Sequence, residues 1–196
     1  MDNIKRFDLA VQSLSAALSN IFMSLEKSEK DTIREIRLRS RRAVTVITGR
    51  GTEFLLPSGR LTQVYSELVY KTDEREIEEI FRRLCGYSVH SFKDAINKGY
   101  ITIPGGHRAG VAGTAATENG KITAVRDICA INLRVAREIK GAANEIYRNE
   151  FLNGLQSVII AGPPSSGKTT ILRDLVRCLS GTEKGGLYRG RSKPWG

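Results

Sequence analysis

The sequence predicts an α+β domain built on an antiparallel sheet, followed by the first strand–helix unit of a phosphate-binding α/β domain. Three observations predict this. Between residues 33 and 135, apolar side chains alternate with period two over several short stretches. Compact turn signals separate these stretches: Gly49-Arg50-Gly51, Pro104-Gly105-Gly106 and Asn119-Gly120. Further on, one apolar run enters a glycine-bracketed loop that opens an amphipathic helix.

The elements follow in order. Residues 7–25 place Leu14, Leu18, Ile21, Phe22 and Leu25 at helical spacing, which predicts one amphipathic helix. From 33 to 47 the period becomes two. Ile36 and Leu38 share one face, Glu35, Arg37 and Arg39 the other, so a half-buried strand with a basic outer face is expected. Val44–Ile47 reads as a second strand and Phe54–Leu56 as the strand returning from the glycine turn. A helix runs from about Asp73 to Leu84. Asp73 or Thr72 caps it, acids fill its first turn, Ile77, Ile80, Phe81 and Leu84 form its stripe, and Gly86 stops it. A shorter helix near 89–98 ends at Gly99. Tyr100–Ile103, Arg108–Ala116 and Lys121–Val125 then read as strands, with Ile131, Leu133 and Val135 as a further alternation. Residues 1–145 are thus expected to form the first domain. Residues 146–181 begin a second, with a linker or short helix over 141–154, and 182–196 form a disordered, basic tail.

Composition narrows the function classes. The 196 residues are 40% hydrophobic and 27% charged, which excludes collagen-like, wholly disordered and disulfide-scaffold classes. No stretch approaches the run of about 20 apolar residues that spans a bilayer, and Met1–Arg6 lacks the apolar centre of a signal peptide. Cys85, Cys129 and Cys178 are widely spaced and form no CxxC pair, so a reducing cytosol is the expected home. Thirty-one basic against 21 acidic residues give a net charge of +10, which favours anionic partners or serves solubility alone.

One motif carries chemistry. Ser157–Ala161 reads as an apolar strand running into Gly162-Pro163-Pro164-Ser165-Ser166-Gly167-Lys168-Thr169-Thr170, a match to the phosphate loop G-x-x-x-x-G-K-[ST]. A helix follows, with Ile171, Leu172, Leu175, Val176 and Leu179 on one side and Gly181 at its end. Gly162 and Gly167 allow the tight backbone path, while loop amides and the helix N-terminus turn positive dipole toward an anion. Lys168 has the reach for β- and γ-phosphates, and the Thr169 hydroxyl suits Mg²⁺. ATP and Mg²⁺ are therefore the expected ligands. Hydrolysis also needs an acid from a neighbouring strand. After Asp174 the single acid is Glu183, with no apolar run leading to it, so binding without turnover is expected.

Weaker constellations admit two readings. His107 follows the Pro104–Gly106 turn, where it contacts a ligand or, with Arg108, is merely a solvated hairpin tip. Six arginines (34, 37, 39, 41, 42 and 50) accompany one glutamate, as a phosphate-backbone patch or a protein interface would. No aromatic residue interleaves among them, which weakens a single-strand stacking reading. Arg126, Arg134 and Arg137 either contact a nucleotide in a neighbouring subunit or pair with Asp127 and Glu138.

Five segments in order carry a resemblance: Glu35-Ile36-Arg37-Leu38-Arg39, Gly99–Arg108, Ala124–Ile128, Asn132–Glu138 and Ala161–Thr170. From residue 1 to about 181 the chain resembles the stage III sporulation AA family, itself similar to the ATPases of type II and type IV secretion systems. The resemblance implies an N-terminal α+β domain joined to a RecA-like ATPase domain, with Lys168 and Thr169 as the phosphate-loop lysine and hydroxyl. It implies hexameric rings, a mother-cell cytoplasmic location, and partners in a membrane-embedded channel complex between mother cell and forespore; nucleic acid is not among them. The family continues past the first helix with strands that carry the Mg²⁺-holding and catalytic acids, whereas here the last fifteen residues depart from its pattern. A C-terminally truncated ATPase domain is thus expected.

Overall fold

A computed structural model describes residues 2–180 apart from residues 153, 155 and 165. The chain divides into two compact units, Met1–Arg137 and Glu138–Gly196.

The first unit opens with two helices where the spacing predicts one. α1 spans Asn3–Val11 and α2 spans Ala16–Met23. The break has a local cause. Ser15 leaves helical geometry and its hydroxyl accepts from the Leu18 amide, capping α2. Leu14 still faces inward, so the apolar spacing survives the break. A short α3, Lys27–Lys30, leads into the sheet.

The strands are β1 (Glu35–Arg39), β2 (Arg42–Ala43), β3 (Thr45–Thr48), β4 (Gly51–Leu56), β5 (Arg60–Thr62), β6 (Lys71–Thr72), β7 (Tyr100–Ile103), β8 (His107–Glu118) and β9 (Lys121–Arg134). Seven of them form one sheet in the order β5-β4-β3-β1-β9-β8-β7, and β2 pairs with β6. Every registered pair is antiparallel. The expected strand at 121–125 and the alternation through Ile131 belong to one long β9, bent by irregularities opposite Gly113 and near Thr117. Asn119 (φ +50°) and Gly120 (φ +74°) close the β8–β9 hairpin in the left-handed pair that matches strand twist.

Period two sorts the sheet faces. Ile36, Leu38, Val46, Leu55, Ile101, Ala109, Ile131 and Leu133 are fully buried. They join Phe7, Leu18 and Phe22 of α1 and α2, together with Ile77 and Ile80 of α4 (Glu74–Leu84), in one core. Asp73 caps α4 through the Glu76 amide, as its sequence predicts. Glu76 in turn accepts from the Ser15 and Tyr70 hydroxyls, tying α4 to the cap of α2. Burial and the Glu76 carboxylate push the Tyr70 phenol up to about 12. Val89–Phe92 is a tight 3₁₀ turn and α5 covers Lys93–Asn97, so the short helix near 89–98 is present.

In the second unit, α6 (Asn144–Ile146) passes into a π-turn at Tyr147–Phe151, and α7 spans Lys168–Leu179. The strand expected over 157–161 does not form: residues 156–162 make no strand ladder. A strand exists by its neighbours, and this stretch has none among the described residues; Ile159 is 94% exposed. The expected tail, with Gly181 and Glu183, lies outside the described residues.

Candidate phosphate-binding site

The loop from Gly162 to Thr170 sits at the start of α7. Gly167 precedes the helix with φ +86°, a conformation that costs glycine little. The Ser166 amide donates to the Pro163 carbonyl (3.3 Å), and the Ile171 amide closes the first helical turn on Gly167 (2.9 Å). Lys168 folds back over the loop. Its Nζ donates to the carbonyls of Gly162 (2.8 Å) and Pro163 (2.5 Å) and reaches Ser166 Oγ (3.4 Å). A Cβ on Gly162 would stand 2.9 Å from Ser166 Oγ, so glycine keeps this cradle open. Thr169 is exposed and Thr170 half-buried. Ser165 lies outside the described residues. The pieces fit a phosphate ligand: a cation held by exchangeable acceptors, an uncapped helix N-terminus of 12 residues, and a hydroxyl one position on.

A cavity of about 440 Å³ borders the loop. Gln156, Lys168 and Thr169 line it together with the aliphatic Val158, Ile160, Leu172 and Leu175.

Asp174 is committed elsewhere. It is 3% exposed, accepts from the Ala143 amide (2.9 Å) and pairs with Arg177 (2.7 Å). Burial alone would raise its pKa, yet the amide and the guanidinium hold it below the usual carboxylate range. It anchors α7 to the start of its own unit.

The weaker candidates resolve as follows. His107 is not solvated but fully buried. Its Nδ1 accepts from the Ala136 amide (2.9 Å), and its Nε2 has no hydrogen-bond partner. Burial and the nearby Arg6 push its pKa down. The turn signal reads correctly, but the inward parity of His107 on β8, shared with Ala109 and Val111, decides its environment. Arg108 is exposed and lies over the Tyr100 ring, 3.5 Å from its centroid. The acids beside Arg134 and Arg137 prove to be Glu35 (3.7 Å) and Asp31 (3.2 Å). Arg137 also reaches the Ile33 carbonyl (3.4 Å). Arg126 lines a cavity of about 770 Å³ with Phe81, Arg82 and Asp127. Of the six clustered arginines, Arg37, Arg41 and Arg50 pair with Glu35, Glu74 and Glu53. Arg34, Arg39 and Arg42 stay exposed.

Fold and loop together define a two-unit protein: an antiparallel α+β unit leading into a glycine-bracketed loop at a helix N-terminus. The comparisons with known proteins narrow this class. Residues 5–188 match the family described as sporulation stage III, protein AA, and the chain belongs to that family. The match continues past Gly181, where the sequence-based likeness ended. The stage III sporulation protein AA of Bacillus subtilis (strain 168) is 36% identical over 171 residues, covering 87% of this chain and 51% of the relative. The chain thus spans about half the length of that curated relative. No solved structure matches it. No helix among the described residues is long and apolar enough to cross a membrane.

Proposed function

We propose that this chain is the nucleotide-binding portion of a secretion-type ATPase of sporulation, holding ATP with Mg²⁺ through Gly162–Thr170. The observation that carries this reading is Lys168 curled onto the Gly162 and Pro163 carbonyls in front of the α7 N-terminus. Phosphate oxygens would replace those carbonyls as its acceptors. Loop amides would bind the same phosphates, and Thr169 would supply a hydroxyl to Mg²⁺. When bound, the metal would neutralise phosphate charge. Because Asp174 is held by Ala143 and Arg177, binding rather than turnover is the expected activity of this stretch. The resemblance to secretion ATPases supports assembly with further copies and coupling to a membrane-embedded channel complex in the mother cell. Of Arg126, Arg134 and Arg137, one would meet a neighbouring subunit's nucleotide; Arg126 is exposed, whereas Arg134 and Arg137 pair with Glu35 and Asp31.

Isothermal titration with Mg-ATP tests the proposal. Heat of binding is expected from the wild type and none from Lys168→Ala, with both proteins folded by circular dichroism. Equal heats from the two proteins, or no heat from the wild type, would reject it. A nucleic-acid reading has less support, since three of the six clustered arginines are already in ion pairs. Affinity for DNA or RNA falling steeply with salt would revive it.

A further inference from the structure

The core helices cover one face of the first unit's sheet, and the strand register lays out the other. Arg108 stands opposite Arg134, and Arg134 opposite Glu35. In the next row Asn132 stands between Gly110 and Arg37. In the third, Ala130 stands between Ala112 and Arg39. Residues directly opposite share a face. Along each strand these positions alternate with the core residues Ile36, Leu38, Ala109, Val111, Ile131 and Leu133.

These rows bring Arg37, Arg39, Arg108 and Arg134 together with one acid, Glu35. Arg37 donates to Glu35 at 2.6 Å, Arg134 lies 3.7 Å from it, and the Glu35 side chain is 15% exposed. Arg39 and Arg108 are exposed and have no ion-pair partner among the described residues. Like charges placed directly opposite repel, and Arg108 rests over the Tyr100 ring instead. One carboxylate cannot neutralise four guanidiniums, so the face keeps an excess of positive charge.

We propose that this sheet face docks an acidic segment of a partner protein, whose carboxylates engage the guanidiniums that Glu35 leaves unmatched. The planar fork of arginine fits a carboxylate through two hydrogen bonds, and a chain charge of +10 steers an acidic partner inward. The same face suits other anions less well. Glu35 in its midst would repel an unbroken run of phosphates, whether of nucleic acid or of lipid headgroups. A protein segment can set a neutral or hydrogen-donating side chain there. Arg108 already covers the Tyr100 ring, so no base can stack on that side of it. None of the exposed large apolar side chains lies in these rows, so nothing here would enter a bilayer. Nucleotide binding is not required for the contact.

Fluorescence anisotropy of labelled deca-glutamate, titrated with the full chain at low salt, tests this. The wild type is expected to bind. Arg39→Gln and Arg108→Gln should each raise the dissociation constant by about threefold, and the double variant by about tenfold. Lys5→Gln on α1 and Lys121→Gln at the hairpin end remove the same charge elsewhere and should stay within about 1.5-fold of wild type. Circular dichroism checks folding. Asn132→Glu, which weakens the face while leaving every arginine in place, should also cost about threefold and replaces any arginine variant that fails to fold. No binding of deca-glutamate overturns the proposal, as do equal losses at Lys5 or Lys121, which would make net charge the cause. Tighter binding of decathymidylate or of phosphatidylserine vesicles, weakened by the same two arginine substitutions, would assign the face to nucleic acid or to lipid and overturn it as well.

Discussion

The two units meet the same demand, covering apolar side chains, on different scales. In the first, Ile36, Leu38, Ile131 and Leu133 vanish between a seven-stranded sheet and the helices above it. In the second, the buried apolar set among the described residues is Ala143, Phe151 and Leu175. Leu172 and Val176 of α7 lie open at 52% and 57% exposure. Both units carry apolar residues at the proper spacing, so spacing alone does not bury anything. A strand or helix face becomes core only where a second surface meets it. The second unit relies instead on a polar anchor, Asp174 with Ala143 and Arg177.

The widest gap should appear in core truncations. Ile36→Ala or Ile131→Ala removes a fully buried side chain and is expected to cost about 2–5 kcal/mol. Leu172→Ala, half exposed, should stay within about 0.5 kcal/mol. Urea midpoints give both values. Comparable losses at Ile36 and Leu172 would mean that the α7 face is covered in solution, and the contrast would fail.

The polar anchor comes next. Asp174→Ala leaves the Ala143 amide without its acceptor and Arg177 without its carboxylate. Leaving a buried donor unsatisfied costs about 1–3 kcal/mol. Faster hydrogen exchange should follow at Ala143 and along α7, while β1 and β9 keep their protection. Unchanged exchange in α7 would show that its small apolar cluster suffices.

These contrasts explain what could be read in advance. The β1 face, the α4 cap and the Asn119-Gly120 turn are local features, each set by a few neighbouring residues, and all appear as the sequence predicts. The break between α1 and α2 is equally local, but Ser15 competes with an unbroken apolar stripe, and the stripe is the louder signal. The strand expected at 157–161 fails for the opposite reason: its pattern is clear, yet pairing is a property of neighbours. His107 misleads because its turn signal is strong, whereas its inward parity shows only once β8 is seen to begin at that residue. At the loop, the motif marks Gly162–Thr170, but nothing in it foretells the hold of Lys168 on its own carbonyls or the engagement of Asp174 with Ala143.

His107 offers a subtler probe of the first unit. Its buried ring accepts the Ala136 amide through Nδ1, which only the neutral imidazole can do. Burial first, then Arg6, lowers its pKa from the ordinary 6.5. The unfolded chain therefore takes up the proton before the folded one. Stability from this group is complete above about pH 6.5 and declines as the pH falls from there toward the lowered folded value. His107→Gln should be less stable at neutral pH by about 1–3 kcal/mol. It should also lose stability less steeply below pH 6.5 than the wild type does. Parallel pH profiles for the two proteins would contradict this account.

Ion pairs give the smallest effects and the sharpest form of the comparison, because they vary burial while keeping the chemistry. Lys30 Nζ meets Asp8 at 2.9 Å with its side chain 9% exposed, and Lys71 meets Glu67, whose side chain is 80% exposed. Water already solvates the second pair, and the entropy of holding two long side chains offsets its Coulomb attraction. The hydrogen bond to Lys71 lowers the Glu67 pKa, but salt screens so open a pair. Lys71→Ala should leave the urea midpoint unchanged at low and high salt alike. Lys30→Ala should cost about 1 kcal/mol, through lost packing of its stem as well as lost charge. If Lys71→Ala proved the costlier substitution, burial would not be what sets the worth of a contact in this chain.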